Sequence, residues 1–186
     1  MTVMPLKLDV ARRRLQAGGV IAYPTEAVWG IGCDPNNGMA VNKLLAIKGR
    51  DVSKGLILVA ASIDQFADYL EGLERLLRAK LEHSWPGPIT WLVPDNGFAP
   101  KWIVGSNSCV ALRVSAHKPV VDLCRSFGGP IVSTSANHSD RPPLRWPWQL
   151  QQRLLGLDFC LHGSLGVASK PSEIRDLISD KVLRGG

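Results

Sequence analysis

Three short stretches hold most of the side chains that could do chemistry. They are Thr25-Glu26, Lys48-Gly49-Arg50 and Ser133-Thr134-Ser135-Ala136-Asn137. Lys48 and Arg50, with Lys54 close behind, put three cations around one loop. An arginine fork and lysine point charges in such a loop make a phosphate cradle. The same cations would also suit the end of a helix, where positive charge meets the macrodipole. Thr25 offers a hydroxyl and Glu26 a carboxylate for a cation or an amino group. They stand at the end of an apolar run and before Trp29-Gly30-Ile31-Gly32, where an α/β fold places either a ligand loop or an ordinary glycine turn. The Ser133–Asn137 stretch could hold phosphate or carboxylate oxygens with hydroxyls and backbone N–H groups, or cap a helix. Arg113 and Arg184 are single cations near strand-like runs, and Arg184 could reach into a site from the C-terminal side. Lys48 and Arg50 are expected outside the core, so that alanine in their place should leave the fold intact.

Other chemistries lack their residues. There is no G-x-x-x-x-G-K-[ST] phosphate loop and no G-x-S-x-G nucleophile elbow. His83, His117, His138 and His162 have no metal-ligand spacing, and no protein metal site is expected. Cys33, Cys109, Cys124 and Cys160 are scattered, without a C-x-x-C pair, and read as small buried residues of a reducing compartment. With no secretory signal and no long apolar run, this gives an expected cytoplasmic location without a membrane contact. Arg141 and Arg145 lie beside Trp146 and Trp148, a pairing that serves single-stranded nucleic acid in some proteins. Packing of these rings onto the domain is the expected alternative here.

The chain that must position these residues has 186 of them, 45% hydrophobic, which suits one domain with a sizeable core. Its 22 Lys and Arg against 16 Asp and Glu give a net charge of +6, suited to an anionic partner such as a nucleotide or RNA. Leu8, Ala11 and Leu15 predict a helix ended by Gly18-Gly19, and Val20 to Tyr23 a strand. Ala40 to Ile47 predicts a helix stopped at Gly49, and Leu56 to Ala60 a fully buried strand. Ser62 and Gln65 suggest a capping box opening a helix through Ile63, Phe66 and Leu70. A helix through Leu73 to Leu81, strands at Ile89 to Val93 and Val110 to Val114, a helix after Pro119 and a strand at Ile131-Val132 follow. Phe159 to Leu161 and Lys181 to Leu183 are further strand candidates. In Val110 to Val114 the alternation sends Arg113 to the face opposite Val110, Leu112 and Val114. Interleaved strands and helices make the class α/β, with a mixed twisted sheet.

In this order the segments "AYPTEAVWGIGCDP", "LLAIKGRDVSKGLILVA", "SWPGPITWLVP", "ALRVSAHKPV", "PIVSTSAN", "PSEIRD" and "VLRGG" resemble the YrdC/Sua5 family, specifically its short bacterial members. The likeness runs from about residue 19 to the C-terminus. It implies a single YrdC-like domain over residues 1–186, an open twisted mixed sheet with flanking helices around a large, positively lined concavity. It also implies a nucleotidyltransferase that converts L-threonine, bicarbonate and ATP to threonylcarbamoyl-adenylate and pyrophosphate. The product would serve other proteins that modify adenosine 37 of tRNAs reading codons that begin with A.

By the same resemblance, Thr25, Arg113, Ser133 and Ser172 would meet threonine. Lys48, Arg50, Ser135, Asn137 and Arg184 would meet the nucleotide, with Lys48 and Arg50 as the catalytic pair. Mg²⁺ is expected with ATP, without assigned protein ligands, and tRNA or double-stranded RNA is a further expected partner. Asp51 stands where the family often has proline and Cys109 where it often has a hydroxyl residue. A non-catalytic RNA-binding module, or a relative acting on another carboxylate substrate, are the competing readings.

Overall fold

The computed structural model describes residues 4–139, 141, 142, 144 and 146–185. Nine strands form one sheet: β1 Ile21–Pro24, β2 Trp29–Gly32, β3 Ile57–Ala60, β4 Ile89–Pro94, β5 Cys109–Val114, β6 Ile131–Ser135, β7 Phe159–Cys160, β8 Glu173–Asp176 and β9 Val182–Arg184. Their order across the sheet is β7-β1-β2-β6-β3-β5-β4-β8-β9. Pairs β1/β7, β3/β5 and β4/β8 are parallel and the other pairs antiparallel, so the sheet is mixed and open, as expected. Six helices flank it: α1 Pro5–Gln16, α2 Gly38–Lys48, α3 Arg75–Ser84, α4 Lys101–Val104, α5 Lys118–Phe127 and α6 Pro147–Arg153.

Strand alternation sorts the core into two layers. Ile21 and Tyr23 of β1 pack with Val59 and Ile131 under α1 and α5, which contribute Ala11, Leu15, Val120, Leu123 and Cys124. Ala22, Leu58 and Ala60 point the other way, into the larger cluster with Val41 and Leu44 of α2 and Leu81 of α3. A strand covered on both faces needs apolar residues at every position, which is why Leu58, Val59 and Ala60 of β3 read as a continuous run, whereas Ile57, expected buried, is half-buried. On β5 only one face is covered. Val110, Leu112 and Val114 are buried, while Cys109, Ala111 and Arg113 are half-buried on the other.

Local chemistry sets the helix ends. The Asn37 side chain accepts from Ala40 N at 3.1 Å and opens α2, and Gly49 closes it in the left-handed region at φ 57°. Pro119 sits in the first turn of α5, and Gly128 ends that helix at φ 92°. All four cysteines are free thiols, and Cys33, Cys124 and Cys160 are buried.

Several expectations fail. Residues 62–70 form two 3-10 segments, Ile63–Phe66 and Asp68–Leu70, rather than a capped α-helix. Ser62 makes no side-chain cap. Gln65 instead accepts from Ala61 N at 2.7 Å and donates to Cys124 O at 3.0 Å, so its reach to α5 replaces the box. Trp29 to Gly32, read as a ligand loop or turn, is the strand β2. Gly32 permits close approach of β6, since a Cβ there would lie 2.1 Å from Val132 O. The Ser133–Asn137 stretch is not a loop before a helix, because β6 runs through Ser135. Trp146 and Trp148 do not pack onto the domain. They are 61% and 60% exposed, and α6 is anchored by Leu150 and Leu154 instead. Arg145 lies outside the described residues.

Candidate active site

Sheet register brings most of the candidate side chains to one face. Cross-strand partners share a face, and so do residues two apart on one strand. Ser135 pairs with Gly30, and Ser133 with Ile57, which pairs in turn with Ala111. Ala111 pairs with Leu92, and two residues along, Arg113 pairs with Val59. Thr90, two before Leu92, pairs with Ile174, and Ile174 with Arg184. Helices α1 and α5 cover this face at the Val59 and Ile131 end and leave it open beyond.

The open part is a cavity of about 670 Å³, a volume ordinary for a small-molecule site. Thr25, Lys48, Arg50, Arg113, Ser133, Ser135, Asn137, Ser172 and Arg184 all line it, so the structure brings these nine candidates together. Lys54, Lys170 and Glu26 line it too, giving six cationic residues and one carboxylate among the described residues that line it.

Lys48 is the most constrained of these residues. It is only 3% exposed, which contradicts the expectation that it lies outside the core. The helix that carries it delivers Nζ to the end of β6, where it donates to Ser135 O at 2.5 Å and Asn137 O at 2.8 Å. Burial, and secondarily the charge of Arg50, pull its pKa down from 10.5 to about 8. Arg50 Nη2 donates to Gly55 O at 2.9 Å. Gly55 is pressed against Gly105, where a Cβ would lie 2.7 Å from Gly55 N, and this fixes the loop behind the guanidinium. Arg50 Nε is buried without a hydrogen-bond partner among the described residues, and burial lowers the guanidinium's pKa. Asp51 does not oppose these cations in the cavity. Its carboxylate accepts from Ser53 N at 2.7 Å and caps the 3-10 turn Val52–Lys54.

Arg113 is held differently. Its Nε donates to Gly87 O at 3.0 Å, and its Nη2 meets Glu26 Oε1 at 2.7 Å. Burial lowers its pKa and Glu26 opposes that shift. The same Glu26 oxygen accepts from the hydroxyl of Ser115 at 2.6 Å, and Ser115 Oγ accepts from His117 N at 3.1 Å. Ser115, 1% exposed, carried no sequence signal beyond lying two residues past Arg113. Thr25 lies next to Glu26, with its hydroxyl donating to Val28 O at 2.6 Å.

The C-terminal side closes the cavity. Arg184 Nη2 donates to Ser172 O at 2.8 Å, and the Ser172 hydroxyl lies 2.8 Å from that of Thr90. Loss of solvent on its cavity side lowers the pKa of Arg184, and repulsion from Arg113 and Arg50 adds to it. Three guanidiniums therefore face one space. Cys109, half-buried at the start of β5, lines the same wall.

Comparison with known proteins agrees with this architecture. A Sua5/YciO/YrdC family model described as "Telomere recombination" matches residues 13–186. The chain is 49% identical over 179 residues to a threonylcarbamoyl-AMP synthase of Cellvibrio japonicus, covering 96% of this chain and 95% of that one. It is 50% identical to a threonylcarbamoyl-AMP synthase of Pseudomonas fluorescens, with 96% of each covered. Among solved structures, Sua5 of P. abyssi complexed with L-threonine superposes with a TM-score of 0.86 at 26% identity. That match covers 95% of this chain and 52% of the other, so the chain spans about half the length of that Sua5. Matched along nearly its whole length in both sequence and fold, the chain belongs to the Sua5/YciO/YrdC family.

Proposed function

We propose that this chain is a threonylcarbamoyl-AMP synthase, a nucleotidyltransferase built as one YrdC-like domain over residues 1–186. One observation carries the reading. A single cavity joins an arginine already paired with a carboxylate, Arg113, to cations that no carboxylate among the described residues neutralises, Lys48, Arg50 and Arg184. A zwitterionic amino acid suits the first and a polyphosphate the second.

In the reaction, the ammonium form of L-threonine and bicarbonate give the carbamate, one water and one proton. A carbamate oxygen attacks the α-phosphorus of ATP, and pyrophosphate leaves. No protein nucleophile is required. Arg113 would hold the threonine carboxylate, with Thr25, Ser133 and Ser172 around the amino acid. Arg50 and Arg184 would meet phosphate oxygens, and Ser135 and Asn137 the nucleotide. A phosphate oxygen that reached Arg50 Nε would supply the acceptor this buried donor lacks. Lys48 acts from behind, fixing the end of β6 and adding its charge to the site. Preorganised donors aimed at the transferred charge are the main source of rate in such displacements.

Among the described residues, no group of three His, Cys, Asp or Glu is placed to hold a metal ion. The cavity's carboxylate is already engaged by Arg113 and Ser115. Mg²⁺ would therefore arrive with ATP, bound by triphosphate oxygens, and balance charge as pyrophosphate forms. The adenylate would pass to the proteins that modify tRNA adenosine 37, and tRNA or double-stranded RNA would meet the basic surface electrostatically. Among the described residues no helix is long and apolar enough to cross a membrane. A cytoplasmic location fits the three buried free thiols.

Pyrophosphate release tests the proposal. It should require ATP, L-threonine and bicarbonate together, and omission of any one should abolish it. Release that proceeds without bicarbonate, or no release with all three, would refute the assignment. RNA binding that persists in a protein inactive in this assay would instead favour the non-catalytic module.

A further inference from the structure

Glu26 is the sole carboxylate among the described residues that line the cavity, and the reaction as outlined gives it no role. Its two oxygens are not equivalent. Oε1 takes both the Ser115 hydroxyl, at 2.6 Å, and Arg113 Nη2, at 2.7 Å. Glu26 is 21% exposed, and no protein donor among the described residues reaches Oε2. The segment that carries it is also fixed. Gly166 N donates to Thr25 O at 2.9 Å, and Ala168 N to Glu26 O at 3.1 Å. A Cβ on Gly166 would lie 2.7 Å from Glu26 Cα, so the covering strand of backbone lies directly on the residue. This is a carboxylate held in the cavity wall, with one oxygen filled and the other without a protein donor among the described residues.

We propose that Glu26 is a specificity-determining residue that receives the ammonium group of the amino-acid substrate and rejects carboxylic acids that lack one. The inference rests on the reading of the cavity as a threonine site. Arginine carries five N–H donors, and Arg113 spends two of them on Gly87 O and Glu26. The remaining donors can take a substrate carboxylate. Two carboxylates then flank one guanidinium, and in a half-buried site their repulsion is weakly screened. An α-ammonium next to the substrate carboxylate lies between them and turns repulsion into a charge-assisted hydrogen bond to Oε2. A hydroxy acid of the same shape has no such group and leaves the repulsion in place. Once the nitrogen has become a carbamate, its remaining N–H is still a donor to the same oxygen. Ser115, by donating to Oε1, keeps that oxygen from turning toward the ligand and serves as a positioning residue.

Binding of L-threonine and of (R)-3-hydroxybutyrate, which is threonine without its amino group, separates the possibilities. Both are titrated calorimetrically into wild-type protein and into Glu26→Gln. The amide keeps the shape and can still accept from Ser115 and Arg113, but it carries no charge. The wild type should bind threonine and bind 3-hydroxybutyrate far more weakly. In Glu26→Gln, threonine should weaken on the order of tenfold to a hundredfold, the range for a hydrogen bond to a charged group. 3-Hydroxybutyrate should bind more tightly than it does to the wild type. These shifts have opposite signs, which a misfolded or loosened site cannot produce. If both ligands weaken together, or threonine is unaffected, Glu26 does not read the ammonium. If wild-type protein binds no threonine at all, the reading of the cavity itself is what fails.

Discussion

The two ends of the cavity satisfy their cations by different means. At the amino-acid end, Arg113 is paired with Glu26, and the two charges cancel. At the nucleotide end, Lys48 is held by the carbonyls of Ser135 and Asn137, Arg50 by that of Gly55 and Arg184 by that of Ser172. A carbonyl satisfies a donor without removing its charge. One end is therefore close to neutral, and the other keeps its full positive charge in a partly desolvated setting. A zwitterion and a polyanion need just this division. The lesson is that the partner that holds a cation, more than the cation itself, tells what ligand the site can take.

The largest expected effect is that of Lys48→Ala. Removing the ammonium leaves two half-buried carbonyls without their donor, each worth up to about 1–3 kcal/mol, and deletes a cation from the nucleotide end. Pyrophosphate release should be nearly abolished, and the melting temperature should fall by several degrees or more. A variant that is fully stable yet inactive would show that the carbonyl tether carries no structural weight.

Arg50→Ala sharpens the contrast. The guanidinium is only partly buried, so the protein should melt close to wild type. The rate should still drop by ~10²–10³, typical of losing one preorganised group. Equal loss of stability in the two variants would erase the distinction between a tethering cation and a presenting one.

A smaller effect is expected from pH. The pKa of Lys48, about 8 in the folded chain, lies below its ordinary 10.5. Between these values the unfolded chain binds more protons than the folded one, so rising pH increases stability through this group. Over the same interval the cavity loses a charge, and ATP affinity should fall. The two trends run in opposite directions and should vanish in Lys48→Met, as followed by denaturant melts and ATP titrations above pH 8. Parallel trends in the wild type would contradict the cause assigned to the shift.

Much of this site was legible in the sequence because it depends on local features. Asn37 and Gly49 delimit α2 and so place Lys48 and Arg50. The alternation of Val110, Leu112 and Val114 puts Arg113 on the opposite face. What escaped depends on distant strands. Trp29 to Gly32 looks like a turn because of its glycines, yet Gly32 is demanded by Val132 on β6, a hundred residues away. The position of Lys48 is likewise set by carbonyls at and just past the end of β6, those of Ser135 and Asn137. Ser115 is an ordinary serine until Glu26 arrives from β1. Residues 173–176 form a strand by pairing with β4 and β9, since four half-buried residues carry little apolar pattern of their own. Trp146 and Trp148 misled in the other direction, because ring size favours packing but the leucines of α6 already supply it.

Charge division between the two ends is tested most directly by the salt dependence of binding. ATP and L-threonine are titrated separately into wild-type protein from low to high sodium chloride, at constant free Mg²⁺. ATP affinity should fall steeply as screening increases, while threonine affinity should change little, since it meets a site of nearly zero net charge. Equal slopes for the two ligands, or a steeper one for threonine, would contradict the account.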